Sequence, residues 1–262
     1  MKNIEIRVLN PEVVAESEKM MVCAARLTQR GHKVKTVDDF VALYNKSYEE
    51  KTARNIVELP HNTIRQFHMI QVVVVGASRR FLAQITRRRV GVTFTSASLQ
   101  YSNYSDDANF VVPYEVMQKG EEAESKYLTA CKNAMGEYVA AINNGIDHDA
   151  AGYMAPQGLA NVLLISATPQ AWCEMIAQRV CRRNSKEIAY VMLKIWEAFY
   201  SLSPVLFSAQ IAGPSCMRGD GTTCNEGPMF CGEFISPHFT PTKLIENDFP
   251  ILTKQEVKHA AK

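Results

Sequence analysis

The chain lacks any long apolar run. The longest, Val72–Ala77, has the length of a strand and falls far short of the ~20 residues of a membrane span. No membrane association is expected. It also lacks a charge bias: 29 Lys+Arg against 27 Asp+Glu leave a formal net charge of +2 over 262 residues. A nucleic-acid surface would spread more basic charge along the chain, so no nucleic-acid partner is expected. The opening MKNIEIRVLN carries a charge at every second or third residue and is not expected to be a signal peptide. The seven cysteines are odd in number, irregularly spaced and without a C-x2-C pair. That excludes a regular disulfide framework and a common zinc knuckle, and reduced thiols suit a cytoplasmic protein. With 47% hydrophobic and 21% charged residues the chain is not disordered, and 13 Gly and 11 Pro are too few for a collagen-like or linker-dominated one.

What is present alternates strands and helices. Ile4–Leu9 alternates apolar and polar residues and reads as a short strand. Pro11 opens a helix through about Arg30, stopped by Gly31, and Asp38–Ser47 reads as a second, shorter helix. Met69–Val75 is a β-branched strand that expects cover on both faces. Gly76 ends it, and Ser78 caps a helix expected to run to about Arg89. A Ser/Thr/Asn-rich loop with possible short strands follows. Pro113–Asn144 reads as one long helix closed by Gly145, Asn161–Ser166 as a strand, and Thr168-Pro169 opens a helix ending near Cys181. Ser185–Ser201 is another helix, and residues from 213 to 262 form a Cys-containing, mostly irregular tail. The expected fold is α+β: a single domain over 1–262, with a modest, mainly antiparallel sheet and a layer of long helices.

The charge is concentrated in one place. Arg79, Arg80, Arg87, Arg88 and Arg89 fall within eleven residues, and no acid follows until Asp106. Arginines in a last helical turn complement the dipole, and a basic face is ordinarily just solvated. The hydroxyl-rich, aromatic loop directly after them argues for more. Guanidinium forks beside Ser and Thr hydroxyls suit a multiply charged phosphate ligand.

The stretch Ser78–Tyr101, SRRFLAQITRRRVGVTFTSASLQY, resembles the signature of the flavin-dependent thymidylate synthases: an SR…Q…RHR helix, then a loop ending in S-x-R-Y. Ser78-Arg79 and Gln84 match, Arg87-Arg88-Arg89 stands at the Arg-His-Arg, and Ser98 and Tyr101 match the loop's end after one extra residue. Pro60-His61-Asn62-Thr63 is similar to the family's H-x-T/S segment, and Ala24-Ala25-Arg26 to a motif of its first helix. Tyr153–Arg179 follows a later strand-helix segment, Glu187-Ile188 matches the E-I opening the next helix, and GPSCMRGDGTTCNEGPMFCG resembles the ending of many clostridial and bacillar members. The resemblance implies that FAD, NADPH and methylenetetrahydrofolate take part in C5 methylation of a pyrimidine nucleotide, by default dUMP to dTMP, in a homotetramer with sites between subunits. It places Arg87, Arg88 and Arg89 on FAD, with Thr63 and His61 on the flavin side, and Gln84, Arg87, Ser98 and Tyr101 at the nucleotide.

Three positions depart from the pattern. Gln100 stands at the arginine of S-x-R-Y, Gln170 at a second nucleotide-binding arginine, and Glu197 at the arginine that polarises the base, with Lys194 one turn away. Two readings follow: a divergent enzyme for another pyrimidine nucleotide (UMP, dCMP or CMP), or a flavin- or nucleotide-binding paralogue without synthase activity. A glutamate could accept from the exocyclic amine of a cytosine. Cys216, Cys224 and Cys231 with His238 could make a Cys₃His zinc site, but their spacing makes idle thiols the plainer expectation. Trp172, Trp196, Cys173 and Cys181 read as core residues.

Overall fold

Glu5–Val8 forms β1, and Pro11–Arg30 forms α1 with Pro11 at its first helical position. Asn10 anchors that helix start. Its amide donates to the Met69 carbonyl at 3.0 Å and its oxygen accepts from the Gln71 N–H at 2.8 Å. Gly31 is not a left-handed stop: it lies at φ −58° and opens a short 3₁₀ turn, Gly31–Lys33. Val37–Asn45 (α2) is closed at its start by a capping box between Thr36 and Asp39. Glu50–Val57 (α3) follows and was not foreseen, because its polar surface hides a narrow stripe buried at Ala53 and Val57. These and the remaining elements are those of a computed structural model, which describes residues 1–218 and 221–253.

Ile70–Ser78 (β2) leads through the Ser78 cap into Arg79–Ile85 (α4), and Val92–Ser96 forms β3. The expected helix to Arg89 stops four residues early for two reasons. The Thr86 hydroxyl donates back to the Leu82 carbonyl at 2.9 Å, and the Gln84 carbonyl accepts from Arg179 Nη2 at 2.9 Å instead of from the chain ahead. Arg87, Arg88 and Arg89 therefore lie beyond the helix, in the turn before β3.

The long helix expected over Pro113–Asn144 is two helices, Tyr114–Met117 (α5) and Glu121–Asn143 (α6). Gly120 separates them at φ +91°, a conformation no continuing α-helix can contain. Gly145 plays its expected role: it sits at φ +83°, with Ile146 N–H reaching back to the Ala141 carbonyl at 3.1 Å. His148–Ala151 (α7), Ala160–Ala167 (β4), Pro169–Arg179 (α8), Lys186–Leu202 (α9) and Ala209–Ala212 (α10) follow. The tail is not wholly irregular, since Thr240 caps Pro241–Asp248 (α11), with Pro241 at the first turn. Residues 219–220 and 254–262 of the expected tail lie outside the described residues.

The four strands pair antiparallel in the order β1-β2-β4-β3. The helices cover one face. Ile70, Val72 and Val74 from β2 and Leu163, Ile165 and Ala167 from β4 point into a core shared with α1, α8 and α9. Trp172 and Trp196 sit there as expected, each indole N–H satisfied, on the Ile70 carbonyl at 3.0 Å and the Phe207 carbonyl at 2.7 Å. The opposite face is not covered, against the expectation for β2: Val75, Val162 and Leu164 are 41–44% exposed within the single chain. A bulge at Gly76 (φ +80°) bends β2 toward the N-terminal segment, where a Cβ would come within 2.5 Å of the Asn3 carbonyl oxygen.

Candidate functional site

The junction between β2 and α4 is fixed by Ser78 and Glu187. Ser78 Oγ accepts from the Phe81 N–H at 3.1 Å and donates to Glu187 Oε2 at 2.6 Å, while Ser78 N donates to Glu187 Oε1 at 2.7 Å. Burial pushes the Glu187 carboxyl above its ordinary value, and the two bonds from Ser78 pull the other way. The first turn of α4 is then docked by the Arg79 and Arg80 N–H groups on the carbonyls of Leu159 and Gln157. Gln84 is held from α9's start, where Ser185 Oγ donates to its Oε1 at 2.8 Å.

Beyond α4 a connected set of polar side chains joins two of the segments singled out by sequence. Arg65, one residue pair after Thr63, is 7% exposed. Its Nε donates to Gln170 Oε1 at 2.7 Å, its Nη2 to Asn62 Oδ1 at 2.8 Å, and its Nη1 to the Val57 carbonyl. Gln170 Nε2 in turn donates to Glu174 Oε1 at 2.6 Å, and Glu174 Oε2 pairs with Arg88. The path Asn62–Arg65–Gln170–Glu174–Arg88 thus ties the His61–Thr63 segment to the arginine run through one face of α8. Burial lowers the Arg65 pKa, and burial followed by the nearby positive charge of Arg87 lowers that of Arg179.

The three consecutive arginines differ. Arg88 is half-buried and paired, whereas Arg87 and Arg89 are exposed, as are His61 and Thr63. Among the described residues, two buried side-chain nitrogens have no hydrogen-bond partner, Arg79 Nη1 and Arg88 Nε. Both belong to the arginine-rich segment. An unmade bond on a buried donor costs about 1–3 kcal/mol, more for a charged one, so such donors mark a place built for an anionic group.

Ser98, Gln100 and Tyr101 stand elsewhere. Ser98 Oγ accepts from the Gln100 N–H at 3.1 Å and shapes the turn, and Tyr101 is 84% exposed. β3 separates this loop from Arg89, and five residues of strand alone span about 16 Å. Beside the loop's far end lies a groove of about 670 Å³ bordered by Gly76, Ala97, Tyr104, Lys132 and Asn161, of a size that takes a small ligand. None of Arg87, Arg88 and Arg89 borders it. Lys194 and Glu197 form a third location on α9. They pair at 3.1 Å, and Glu197 Oε1 accepts from Thr242 Oγ1 of α11 at 2.7 Å. A single chain therefore brings together His61–Thr63, Arg88 and Gln170, and leaves the Ser98 loop and the Lys194–Glu197 pair apart. Sequence reasoning missed Arg65 and Glu174. Glu174 had a readable signal, lying one helical turn from Gln170; Arg65, in a 3₁₀ turn, had none.

Residues 12–205 match the model of the thymidylate synthase complementing protein family, Thy1. The chain belongs to this family. Its relatives include the flavin-dependent thymidylate synthase of Pyrococcus furiosus, 23% identical over 64% of this chain and 70% of that protein. The enzyme of the same description from Sulfolobus acidocaldarius is 20% identical over 88% and 85%. Two crystal structures share the fold. A UMP/dUMP methylase, PolB, from Streptomyces cacaoi bound with 5-Br dUMP superposes with a TM-score of 0.62 at 16% identity, over 80% of this chain and 96% of that one. Thymidylate synthase X from Helicobacter pylori with FAD and dUMP gives 0.57 at 13%, over 78% and 99%. The Thy1 fold, a small antiparallel sheet with helices on one face, is the one expected from sequence.

Proposed function

We propose that this Thy1 protein is an FAD- and NADPH-dependent methyltransferase that uses methylenetetrahydrofolate to methylate C5 of a pyrimidine nucleotide, dUMP to dTMP by default. The observation that carries this is the arginine segment, with orphaned donors on Arg79 and Arg88, in a chain of this family. FAD, when bound, supplies the redox chemistry. The chain's own residues position and neutralise: Arg87, Arg88 and Arg89, with His61 and Thr63, hold the flavin's phosphates and ring. Gln84, Arg87, Ser98, Gln100 and Tyr101 face the nucleotide. Gln170 acts as a positioning residue, because its amide is committed to Arg65 and Glu174 and through Glu174 sets Arg88.

In this proposal the working form is a homotetramer, in a cytoplasmic protein. Two observations support sites shared between copies: the ~16 Å of β3 between arginines and nucleotide loop, and the uncovered apolar sheet face at Val75, Val162 and Leu164. Glu197 and Lys194 act on the base where the α9–α11 edge of one copy faces a site of the next. A second reading, an enzyme for UMP, dCMP or CMP, is favoured by the neutral Gln100 and by the negative charge of Glu197 at the base-polarising position.

Purified protein should be yellow or turn yellow on reconstitution with FAD. It should release tritium from 5-³H-dUMP when NADPH and methylenetetrahydrofolate are present. Protein that stays colourless with FAD sinks the flavoenzyme reading. Flavin binding with turnover of UMP, dCMP or CMP alone selects the second reading, and flavin binding with no turnover of any of the four leaves a non-catalytic binding protein.

A further inference from the structure

Four of the seven cysteines converge outside the site described above. Cys181, in the turn after α8, and Cys216, Cys224 and Cys231 from the tail all line one small cavity of about 10 Å³, the room of a single water-sized body. His238, the partner considered from sequence, lines a different cavity. Cys181 takes its place, from a helix end 35 residues upstream of Cys216. Cys216 is buried and Cys181 and Cys224 are half-buried.

From this cluster we propose that Cys181, Cys216, Cys224 and Cys231 bind one zinc ion as a four-thiolate structural site that fastens the tail to the end of α8. The chemistry fits. Four soft sulfur ligands select zinc among common divalent ions, and thiolate sites close tetrahedrally with Zn–S near 2.3 Å. Arg182, paired with Asp248 and Glu233, and Arg183, paired with Glu226, flank the cavity and already tie the end of α8 to the tail. As the four Zn–S bonds form, the thiol protons leave to solvent, including the one Cys231 donates to the Glu233 carbonyl at 3.3 Å.

The tail is poor in regular structure. Between Arg218 and Thr240 its described residues form no element longer than the 3₁₀ turn Gly227–Met229. Among the described residues no three His, Cys, Asp or Glu side chains already stand as a metal-holding group, so the thiols must close inward. Cys224 and Cys231 sit between Gly221 (φ +77°) and Gly232 (φ +88°), and Cys231 is exposed.

The test is metal analysis of the protein purified under reducing conditions, whatever its flavin content. One zinc per chain is expected, and cobalt(II) exchanged for it should give the charge-transfer and d–d absorption of a tetrahedral thiolate site. Cys224→Ser with Cys231→Ser should lose the zinc and open residues 221–240 to protease, while Cys131→Ser, on α6, keeps it. Zinc-free protein that takes up no cobalt overturns the proposal, as does zinc retained by the double variant. A disulfide among these four cysteines in reduced, freshly purified protein also overturns it and assigns the cluster to redox chemistry. FAD binding reports on the arginine segment independently of all these outcomes.

Discussion

Replacing Arg88 by alanine separates a flavin-binding role for the arginine segment from a purely structural one. Arg88 makes one internal bond, to Glu174, and holds a second nitrogen, Nε, that is buried with no partner. The Glu174 pair joins side chains 28% and 35% exposed. Solvent screening leaves such a pair worth no more than about 1 kcal/mol, so Arg88→Ala should lower Tm by no more than about 2–4 °C. The effect on ligand is larger. A charge-assisted bond from a guanidinium to phosphate contributes about 1.5–3 kcal/mol, which raises the FAD Kd roughly 10- to 150-fold when lost. Lysine keeps the charge but not the fork, so Arg88→Lys should fall between the parent and Arg88→Ala.

The assay is titration of apoprotein with FAD, followed by flavin fluorescence, beside a melting curve for each variant. Arg54→Ala is the control, because Arg54 pairs only with Glu50 on the exposed side of α3. A folded Arg88→Ala protein that bound FAD as tightly as the Arg54→Ala control would refute the reasoning. It would show that Arg88 is spent on Glu174 and that the orphaned Nε is structural.

Three further outcomes are expected. Gly76→Ala must place a Cβ 2.5 Å from the Asn3 carbonyl at φ +80°, so it should cost more than about 2 kcal/mol, read as a lower denaturant midpoint. Trp172→Phe removes a fully buried indole and its bond to the Ile70 carbonyl, and should cost about 2–4 kcal/mol, lowering Tm by about 5–15 °C. Burial pushes the Cys173 thiol up to about 12, so the folded state keeps a proton that the unfolded chain releases from about pH 9 upward. The contribution of Cys173 should be level below pH 9 and fall by up to about 1.4 kcal/mol per pH unit above it, a slope that Cys173→Ala flattens in alkaline melts.

The sequence was most legible where local signals and burial agree. β2 and β4 announce themselves by β-branched content, α8 by Thr168-Pro169, and the end of α6 by Gly145. It misled where a tertiary contact outranked local preference. At Thr86–Arg89 the local Thr86 bond to Leu82 is joined by Arg179, 95 residues away on α8, taking the Gln84 carbonyl. Gly120 is a readable break within the expected Pro113–Asn144 helix, since its φ of +91° is one that glycine adopts freely. In the site, residue types were legible and partners were not. Arg65 and Gln170 are 105 residues apart, and only the fold sets their side chains 2.7 Å from each other.

That pair changes the meaning of the missing charge. Set beside the family pattern, Gln170 looks like the plain loss of an arginine from the nucleotide site. In the structure it is one half of an exchange. Gln170 and Arg65 are each 7% exposed, and all the Arg65 donors that make bonds are turned inward, on Gln170, Asn62 and Val57. An arginine at 170 would set a second guanidinium against the first in a place with little solvent to screen them, a like-charge contact that burial makes costly. Gln170 is therefore neutral because Arg65 is charged. The buried guanidinium here is that of Arg65, in the turn after His61, where it bonds Gln170, Asn62 and Val57 and so supports the Gln170–Glu174–Arg88 path. Gln170→Arg alone cannot restore the family's contact unless Arg65 is neutralised with it. Of the three departures, Gln170 thus belongs to the architecture, and under the proposed function the choice of nucleotide is left to Gln100 and Glu197.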